Sequence, residues 1–303
     1  MDQVPVVFSN AVAATVGRCG ENPLFQSRQW RRAFHDHHSR IVEFIFNLTD
    51  CDGTWKYAFQ AAGMPGIRVD TYFTLAQMRE HVDLHHVRIT TISISRLSET
   101  LYNPPAVFYT LLDLDMDELL KFVLSLSNDR LTSLKIRGLF DFAQDGHIVE
   151  GLKGFYFSNI TIWNYRDIFD DLLKSHFQRN RWTVLHIRSD QWPQTMLEEL
   201  KNHVTSDDFY NLSIENNTSL PFPFEVFESI FEKFLEDRWA LGYPNILTAI
   251  FEDTAQEKLK SYRLDLIKSA GGEYFKWKKE GGQELMVQIV RAQGAWTVTC
   301  MVD

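Results

Sequence analysis

Apolar and polar residues alternate in short blocks along most of the chain, and segments with helical spacing separate these blocks. In each block the first and third residues are apolar, and a strand directs them to one face and the middle residue to the other. The blocks are ISI at 92–94, LKI at 134–136, FYF at 155–157, LHI at 185–187 and LSI at 212–214. Helical spacing lies at 73–84, 115–126, 165–177, 194–204 and 224–235. The pattern predicts an alternation of strands and helices.

The later strand cores recur at intervals from the twenties to about thirty residues, close to the spacing of leucine-rich repeats. The first interval is longer and predicts an insertion. We therefore expect an α/β fold, an irregular leucine-rich-repeat-like β/α solenoid. The alternative is a compact doubly wound sheet, but strands covered on both faces read as continuous apolar runs. The middle residues Ser93, Lys135 and His186 are polar instead.

The two ends of the chain have different patterns. Residues 4–40 predict two short helices that form an N-terminal cap, and the segments 41–48 and 55–59 predict a hairpin through turn residues at 49–53. At the other end we expect a parallel strand at 246–251, a helical segment at 257–267, strands at 274–278, 285–291 and 296–301, and a hairpin turn at 292–294. The predicted organisation is a helical region at 1–40, repeats at 41–245 and a C-terminal β-strand cap at 246–303.

Strand geometry divides the cores into two faces. We expect the following residues to point into the core: Ile92, Ile94, Leu134, Ile136, Phe155, Phe157, Leu185, Ile187, Leu212 and Ile214. Their neighbours then line the opposite face, namely Ser93, Ser95, Lys135, Arg137, Tyr156, Ser158, His186, Arg188, Ser213 and Glu215.

Basic side chains on this second face predict a partner-binding surface, because Arg forks hold carboxylates. The partner-binding candidates are Lys135, Arg137, Tyr156, His186, Arg188 and Glu215. The alternative is that these cations are solvated or pair with acids on adjacent loops.

Composition narrows the classes of partner. The 303 residues carry a formal charge of −9, which argues against a general nucleic-acid binder. The three cysteines are far apart and lack CxxC spacing, which excludes a disulfide framework and a thiolate zinc site. Neither a signal peptide nor a long apolar span is recognisable, so we expect a cytoplasmic or nuclear protein without a membrane partner.

Acidic and histidine clusters do not indicate a metal site. His81 and His85 have the spacing of two ligands on one predicted helix, but no third ligand is indicated. The acids of LLDLDMDELL at 111–120 suit a helix start better than a calcium loop, since no glycine supplies the turn. We expect no metal and no cofactor.

Catalytic signatures are also missing from the sequence. No GxSxG, Walker or GxGxxG motif occurs, so we assign no catalytic residue and expect a non-enzymatic protein. An unrecognised hydrolase on an α/β sheet stays as an alternative. The phenylalanines of FPFEVFESIFEKF at 222–234 form a helix stripe that packs under a sheet.

Several segments together resemble the large nematode families of F-box or F-box-like proteins. These segments are VPVVFSNAVAATV at 4–16, QWRRAF at 29–34, GTWKYAFQ at 53–60, the repeats and the tryptophan-bearing terminal strands. The resemblance implies that the N-terminal region binds the Skp-type adaptor of an SCF-type cullin ubiquitin ligase, while the repeats hold an unidentified target protein.

By that resemblance, the adaptor-binding residues are Val4, Pro5, Phe8, Val12, Trp30 and Phe34. The function it implies is substrate recognition for the ligase. The alternative is a repeat-based binding protein without a ligase link, such as an antidote to another protein.

Overall fold

The structure of the chain is a computed structural model. It describes residues 32, 35, 39–51, 53–63, 71–97, 109–110, 115–127, 132–138, 140, 142–178, 184–189, 194–206, 211–215, 221–236, 245–252, 255–261, 265–269, 272–279, 284–292 and 295–302. All six adaptor-binding candidates lie outside the described residues, as does most of the helical region expected at 1–40.

The first described elements form the predicted hairpin. Strand β1 (Val42–Cys51) pairs antiparallel with β2 (Thr54–Gly63). At the turn, Gly53 has a φ of +83° and its N–H donates to Asp50 Oδ1 at 2.8 Å. A positive φ favours glycine, and Asp accepts local backbone bonds, so these turn residues determine where the chain reverses. The hairpin prediction is confirmed.

A second group of elements leads into the central sheet. It comprises β3 (Tyr72–Phe73), α1 (Leu75–His81), β4 (Val87–Leu97) and β5 (Tyr109–Thr110). Helix α1 begins with a capping box, in which Thr74 Oγ1 accepts from the Gln77 N–H and Gln77 Oε1 accepts from the Thr74 N–H. This reciprocal pair satisfies backbone donors that a helix N-terminus otherwise leaves without partners.

Helices and strands then alternate. The elements are α2 (Met116–Ser125), β6 (Ser133–Arg137), α3 (Phe142–Lys153), β7 (Asn159–Trp163), α4 (Asp170–Phe177), β8 (Val184–Arg188), α5 (Gln194–Thr205), β9 (Asn211–Glu215), α6 (Phe224–Leu235) and β10 (Asn245–Phe251). The starts of β6, β7, β8 and β9 are 26, 25 and 27 residues apart. This spacing is more regular than the sequence cores suggested.

The C-terminal elements are α7 (Ala255–Ser261), β11 (Asp265–Ser269), β12 (Gly272–Lys278), β13 (Glu284–Ala292) and β14 (Ala295–Val302). Strands β11 to β14 pair antiparallel in succession, and β14 also pairs antiparallel with β10. The hairpin at 292–294 and the parallel strand at 246–251 are confirmed. The helical segment expected at 257–267 is wrong in its second half, where Asp265–Ser269 is a strand.

All described strands belong to one mixed sheet that is not closed into a barrel. The order is β11-β12-β13-β14-β10-β9-β8-β7-β6-β4-β1-β2-β3, and β5 pairs with β2. Neighbouring strands from β1 through β4 and β6 to β10 run parallel. Each helix between β6 and β9 contacts the next helix, which places these helices in one layer. The mixed α/β class is therefore confirmed.

One predicted strand is wrong. Residues 154–158 are not a strand, and the strand of this repeat is Asn159–Trp163, so Ile160 and Ile162 replace Phe155 and Phe157 in the inward ladder. Helix α3, which the sequence analysis did not predict, fills the preceding residues. Two interior glycines, Gly146 and Gly151, weaken its helical signal, because glycine is a poor helix former.

The core lies between the sheet and the helices. The inward ladder residues are at most 2% exposed, namely Ile92, Ile94, Leu134, Ile136, Ile160, Ile162, Leu185, Ile187, Leu212 and Ile214. On α6, Phe227 and Phe231 contact the ring of Trp277, with centroid distances of 5.9 and 5.2 Å. The predicted phenylalanine stripe is therefore confirmed as a packing surface.

Candidate functional site

The sheet face opposite the helices carries two rows of side chains that run across the parallel strands. Register pairs place Ser95, Arg137, Trp163, Arg188 and Glu215 in one row, and Ser93, Lys135, Thr161, His186 and Ser213 in the other. We call these ten residues the open face. All are partly or fully exposed, whereas the residues between them along each strand are buried.

At the centre of the open face, Arg137 lies over Trp163. The guanidinium carbon is 4.5 Å from the centroid of the indole ring. This is a cation–π contact, and it brings two side chains from neighbouring strands together. Among the described residues, the N–H donors of this guanidinium have no hydrogen-bond acceptor. Arg137 is thus held ready to donate to a carboxylate.

Two further cations flank this pair. Lys135 lies two residues before Arg137 on β6, and Arg188 lies beyond Trp163 on β8. Within the part of the chain that the structure describes, neither of them nor Arg137 has a carboxylate within ion-pair distance. The loops next to these strands, such as 190–193 and 216–220, lie outside the described residues, so pairing of these cations with acids on adjacent loops stays an alternative.

The open face ends at β9 with a contact between a histidine and a carboxylate. His186 Nε2 lies 3.2 Å from Glu215 Oε1, and both side chains are partly exposed. Glu215 is also the register partner of Arg188, yet its carboxylate contacts His186 rather than the guanidinium. One oxygen of the Glu215 carboxylate is thus within hydrogen-bond distance of the His186 ring.

The other end of the open face is neutral. Ser95 Oγ on β4 lies 2.9 Å from Thr49 Oγ1 on β1, and these two hydroxyls hydrogen-bond with each other. Among the described residues of the open face, the cations without a carboxylate at ion-pair distance therefore lie on β6 and β8, on either side of Trp163.

The structure brings five of the six predicted partner-binding residues together, namely Lys135, Arg137, His186, Arg188 and Glu215. Tyr156 is a correction. It is 4% exposed and stacks on the ring of His176 at a centroid distance of 5.4 Å, because the strand that was expected to carry it begins later. Its neighbour Ser158, also expected on this face, precedes β7 as well.

Sequence reasoning missed Trp163. A strand signal was available in ITI at 160–162, which has the same apolar periodicity as the other cores and strong β propensity. Placing that core in line with LKI and LHI puts Trp163 in the row of Arg137 and Arg188. The aromatic FYF segment competed with it as the apparent strand.

A second group of charges lies at the C-terminal ends of β1 and β4 and on helix α3. Arg96 Nε donates to Asp50 Oδ2 at 2.6 Å, and its two terminal nitrogens donate to the Asp145 carboxylate at 2.8 Å each. Both carboxylates are buried. Because the guanidinium is engaged on both sides, the cluster joins β1, β4 and α3 rather than offering a free charge.

His203 on α5 and Asp170 on α4 have shifted pKa values. Burial, with a smaller contribution from Lys233, lowers the pKa of His203 to about 4. Burial also raises the pKa of the Asp170 carboxyl, although the hydroxyl of Tyr165, which donates to it, opposes the shift. In the helix layer the His203 ring stacks on Phe177, and Asp170 accepts from Tyr165.

The histidine pair does not have the predicted geometry. Helix α1 ends at His81, Val82 is extended, and His85 belongs to a separate 3-10 turn at Leu84–His86. The two histidines therefore do not share a helix. Across the described residues, no group of three or more His, Cys, Asp or Glu is arranged to hold a metal ion.

Asp115 supports the interpretation of its acidic segment as a helix start. It caps α2 by accepting from the Asp117 N–H at 3.0 Å, and Asp117 and Glu118 follow in the first turn. Carboxylates at this end of a helix interact favourably with its dipole.

Comparisons with protein-family models, with curated proteins and with solved structures give no match. No helix among the described residues is both long and apolar enough to cross a membrane.

Proposed function

We propose that the chain is a non-enzymatic protein-interaction module whose open face binds a target protein. The architecture we propose for it is a leucine-rich-repeat-like β/α solenoid with an N-terminal helical cap and a C-terminal β cap. The single observation that carries the proposal is the open face itself. It is a polar, partly exposed side of a parallel sheet on which Arg137, Trp163 and Arg188 lie next to one another.

Several physical features favour protein binding over other roles. Tryptophan and arginine are the residues that most often dominate the energy of protein interfaces. The strands that carry them are rigid elements, so the surface is prepared before a partner arrives. A net charge of −9 opposes binding of polyanions such as nucleic acid.

We further propose that the chain is the substrate-recognition subunit of an SCF-type ubiquitin ligase in the cytoplasm or nucleus. The resemblance of residues 4–34 to an F-box supports this step. In that role Val4, Pro5, Phe8, Val12, Trp30 and Phe34 would contact the Skp-type adaptor, and the open face would hold the protein to be ubiquitinated.

The ligase link is tested by co-expression with a Skp-type adaptor. Wild type should co-purify with the adaptor, and the variant Phe8→Asp/Trp30→Asp should not, while its circular dichroism spectrum is unchanged. The control Lys121→Glu changes an exposed residue on α2 and should keep the adaptor. If wild type does not co-purify, the ligase link is wrong, and the repeat-based binding protein without it becomes the better proposal.

The role of the open face is tested by a bulky substitution at its centre. Thr161→Arg places a long side chain between Lys135 and His186 in the second row, whereas Asn202→Arg makes a similar change at an exposed position of α5. Proteins cross-linked to wild type in cells should be lost with Thr161→Arg and kept with Asn202→Arg. An identical cross-linked set for the two variants would place binding elsewhere.

A further inference from the structure

We infer that the open face binds an acidic protein segment that carries an apolar side chain between separated carboxylates. This inference rests on the proposed function and names the chemistry of the partner.

The cations of the open face are widely spaced. Lys135 and Arg137 are two residues apart on one strand, which separates them by about 7 Å. Arg137 and Arg188 are two strands apart, which separates their backbones by about 10 Å. Cations at such distances match several carboxylates along a segment better than one compact dianion.

The side chain of Arg137 is restrained by its contact with Trp163. Its stack on Trp163 restrains a side chain that would otherwise lose much rotamer entropy on binding. The edge of the guanidinium keeps donors in the fork geometry that fits a carboxylate bidentately. No hydrogen-bond acceptor or carboxylate for it lies among the described residues. Arg137 is therefore a pre-positioned carboxylate receptor.

An aromatic surface lies between two of the cations. Trp163 is only partly buried, and it separates Arg137 from Arg188 in the row. An apolar side chain of the partner that packs here would remove water from both neighbouring charge pairs, which strengthens them. A partner segment that carried only acidic side chains would leave the Trp163 ring in contact with water.

The polar side chains at the two ends of the open face contact residues other than Arg137 and Arg188. Glu215 pairs with His186, and Ser95 pairs with Thr49, so neither end of the row supplies a counter-ion to Arg137 or Arg188. These cations form a local positive patch on a chain of net charge −9. Such a patch attracts acidic partners to this site.

The test is selection from a random peptide display library on the immobilised wild-type chain. Enriched peptides should contain at least two Asp or Glu residues that flank an apolar residue. Their affinities are then measured by fluorescence anisotropy at low and high salt. Arg137→Glu/Arg188→Glu should weaken binding about tenfold or more and remove its salt dependence. The matched control Lys121→Glu/Arg166→Glu makes the same change of net charge at exposed positions outside the open face and should bind like wild type.

The remaining outcomes separate this inference from the proposed function. The selected peptides could lack acidic residues while Thr161→Arg still abolishes their binding. This result would overturn the acidic partner and leave the open face as a protein-binding surface. Peptides that bind Thr161→Arg as well as wild type, or a library without enrichment, would count against both. Stronger competition by a phosphoserine peptide or a single-stranded oligonucleotide than by the acidic peptide would overturn the inference and assign the face to phosphate.

Discussion

Both terminal nitrogens of Arg96 donate to the buried carboxylate of Asp145, with two N–O distances of 2.8 Å. The third nitrogen of the same guanidinium, Nε, donates to Asp50, so one cation on β4 connects the hairpin strand β1 with helix α3. These contacts are far apart in sequence, and they join the N-terminal end of the sheet to the first regular repeat. The cluster is the clearest polar determinant of how the hairpin attaches.

Removal of Asp145 should destabilise the fold strongly. The substitution Asp145→Ala leaves Arg96 in a mostly buried site with one carboxylate instead of two, and breaking such a pair costs about 3–5 kcal/mol. Urea unfolding measures the loss. The control is Asp171→Ala, which removes the partner of an exposed pair with Lys153 and should leave the unfolding midpoint almost unchanged. Equal effects of the two substitutions would contradict a special role for the buried cluster.

Gly138 should not tolerate a side chain. Its φ is +114°, and an added Cβ would lie 2.2 Å from the carbonyl oxygen of Arg96. Gly138→Ala therefore combines an unfavourable backbone conformation with a clash. Gly53→Ala separates the two effects, because Gly53 has a φ of +83° but open space around the added carbon.

We expect a loss of about 1 kcal/mol for Gly53→Ala, which reflects conformation alone, and a clearly larger loss for Gly138→Ala. Equilibrium unfolding of both variants measures the difference. If Gly138→Ala is no worse than Gly53→Ala, the close approach of β6 and β4 at this point is wrong.

Part of this fold could be predicted because the local pattern of apolar residues matches the burial that the tertiary structure gives them. The strands Ser133–Arg137 and Val184–Arg188 have apolar first and third core residues, and the structure buries those same residues. The helix Phe224–Leu235 has an apolar stripe that packs on Trp277. In each case the periodicity alone identifies the buried face.

Other parts could not be predicted, because the deciding contacts are distant. Phe157 alternates with its neighbours like a strand residue, but its N–H donates to His176 Nε2 at 3.1 Å and its ring stacks on that imidazole. The candidate site shared this error, since the misplaced strand put Tyr156 on the open face and left out Trp163. The insertion of β14 beside β10 is likewise a choice between sheet partners that no local pattern encodes.

Stability should fall in mild acid because of His203. In the unfolded chain a histidine takes up a proton near pH 6.5, whereas folded His203 does so only near pH 4. Between these values the unfolded state binds more protons, so stability is full above about pH 6.5 and falls as the pH decreases towards 4. The loss from this group is at most about 3 kcal/mol.

Comparison with His203→Gln isolates this contribution. Unfolding free energies of wild type and variant, measured from pH 7 to pH 4, should differ progressively, with the variant losing less stability in acid. Parallel curves for the two proteins would show that His203 does not carry the acid sensitivity.

Cys300 should be chemically inert in the folded protein. It is 2% exposed, and burial raises the pKa of its thiol to about 12, so the nucleophilic thiolate is scarce at ordinary pH. In a Cys19→Ser/Cys51→Ser background, Cys300 is the remaining thiol of the chain. A colorimetric thiol reagent at pH 8 should modify it only after urea is added. Rapid modification without urea would contradict its burial between β13 and β10.

The register of the β7 repeat gives the sharpest test of the sheet. Ile160 is fully buried on the inward face, whereas Thr161 lies on the open face one residue later. Ile160→Ala should cost about 2–5 kcal/mol, because it leaves a cavity in the core, and Thr161→Ala should cost about 0.5 kcal/mol or less. A shift of one residue would exchange these two results, because a strand directs successive side chains to opposite faces. Urea unfolding of the two variants therefore tests the register, and with it the position of Trp163 between Arg137 and Arg188 on which the proposed binding chemistry depends.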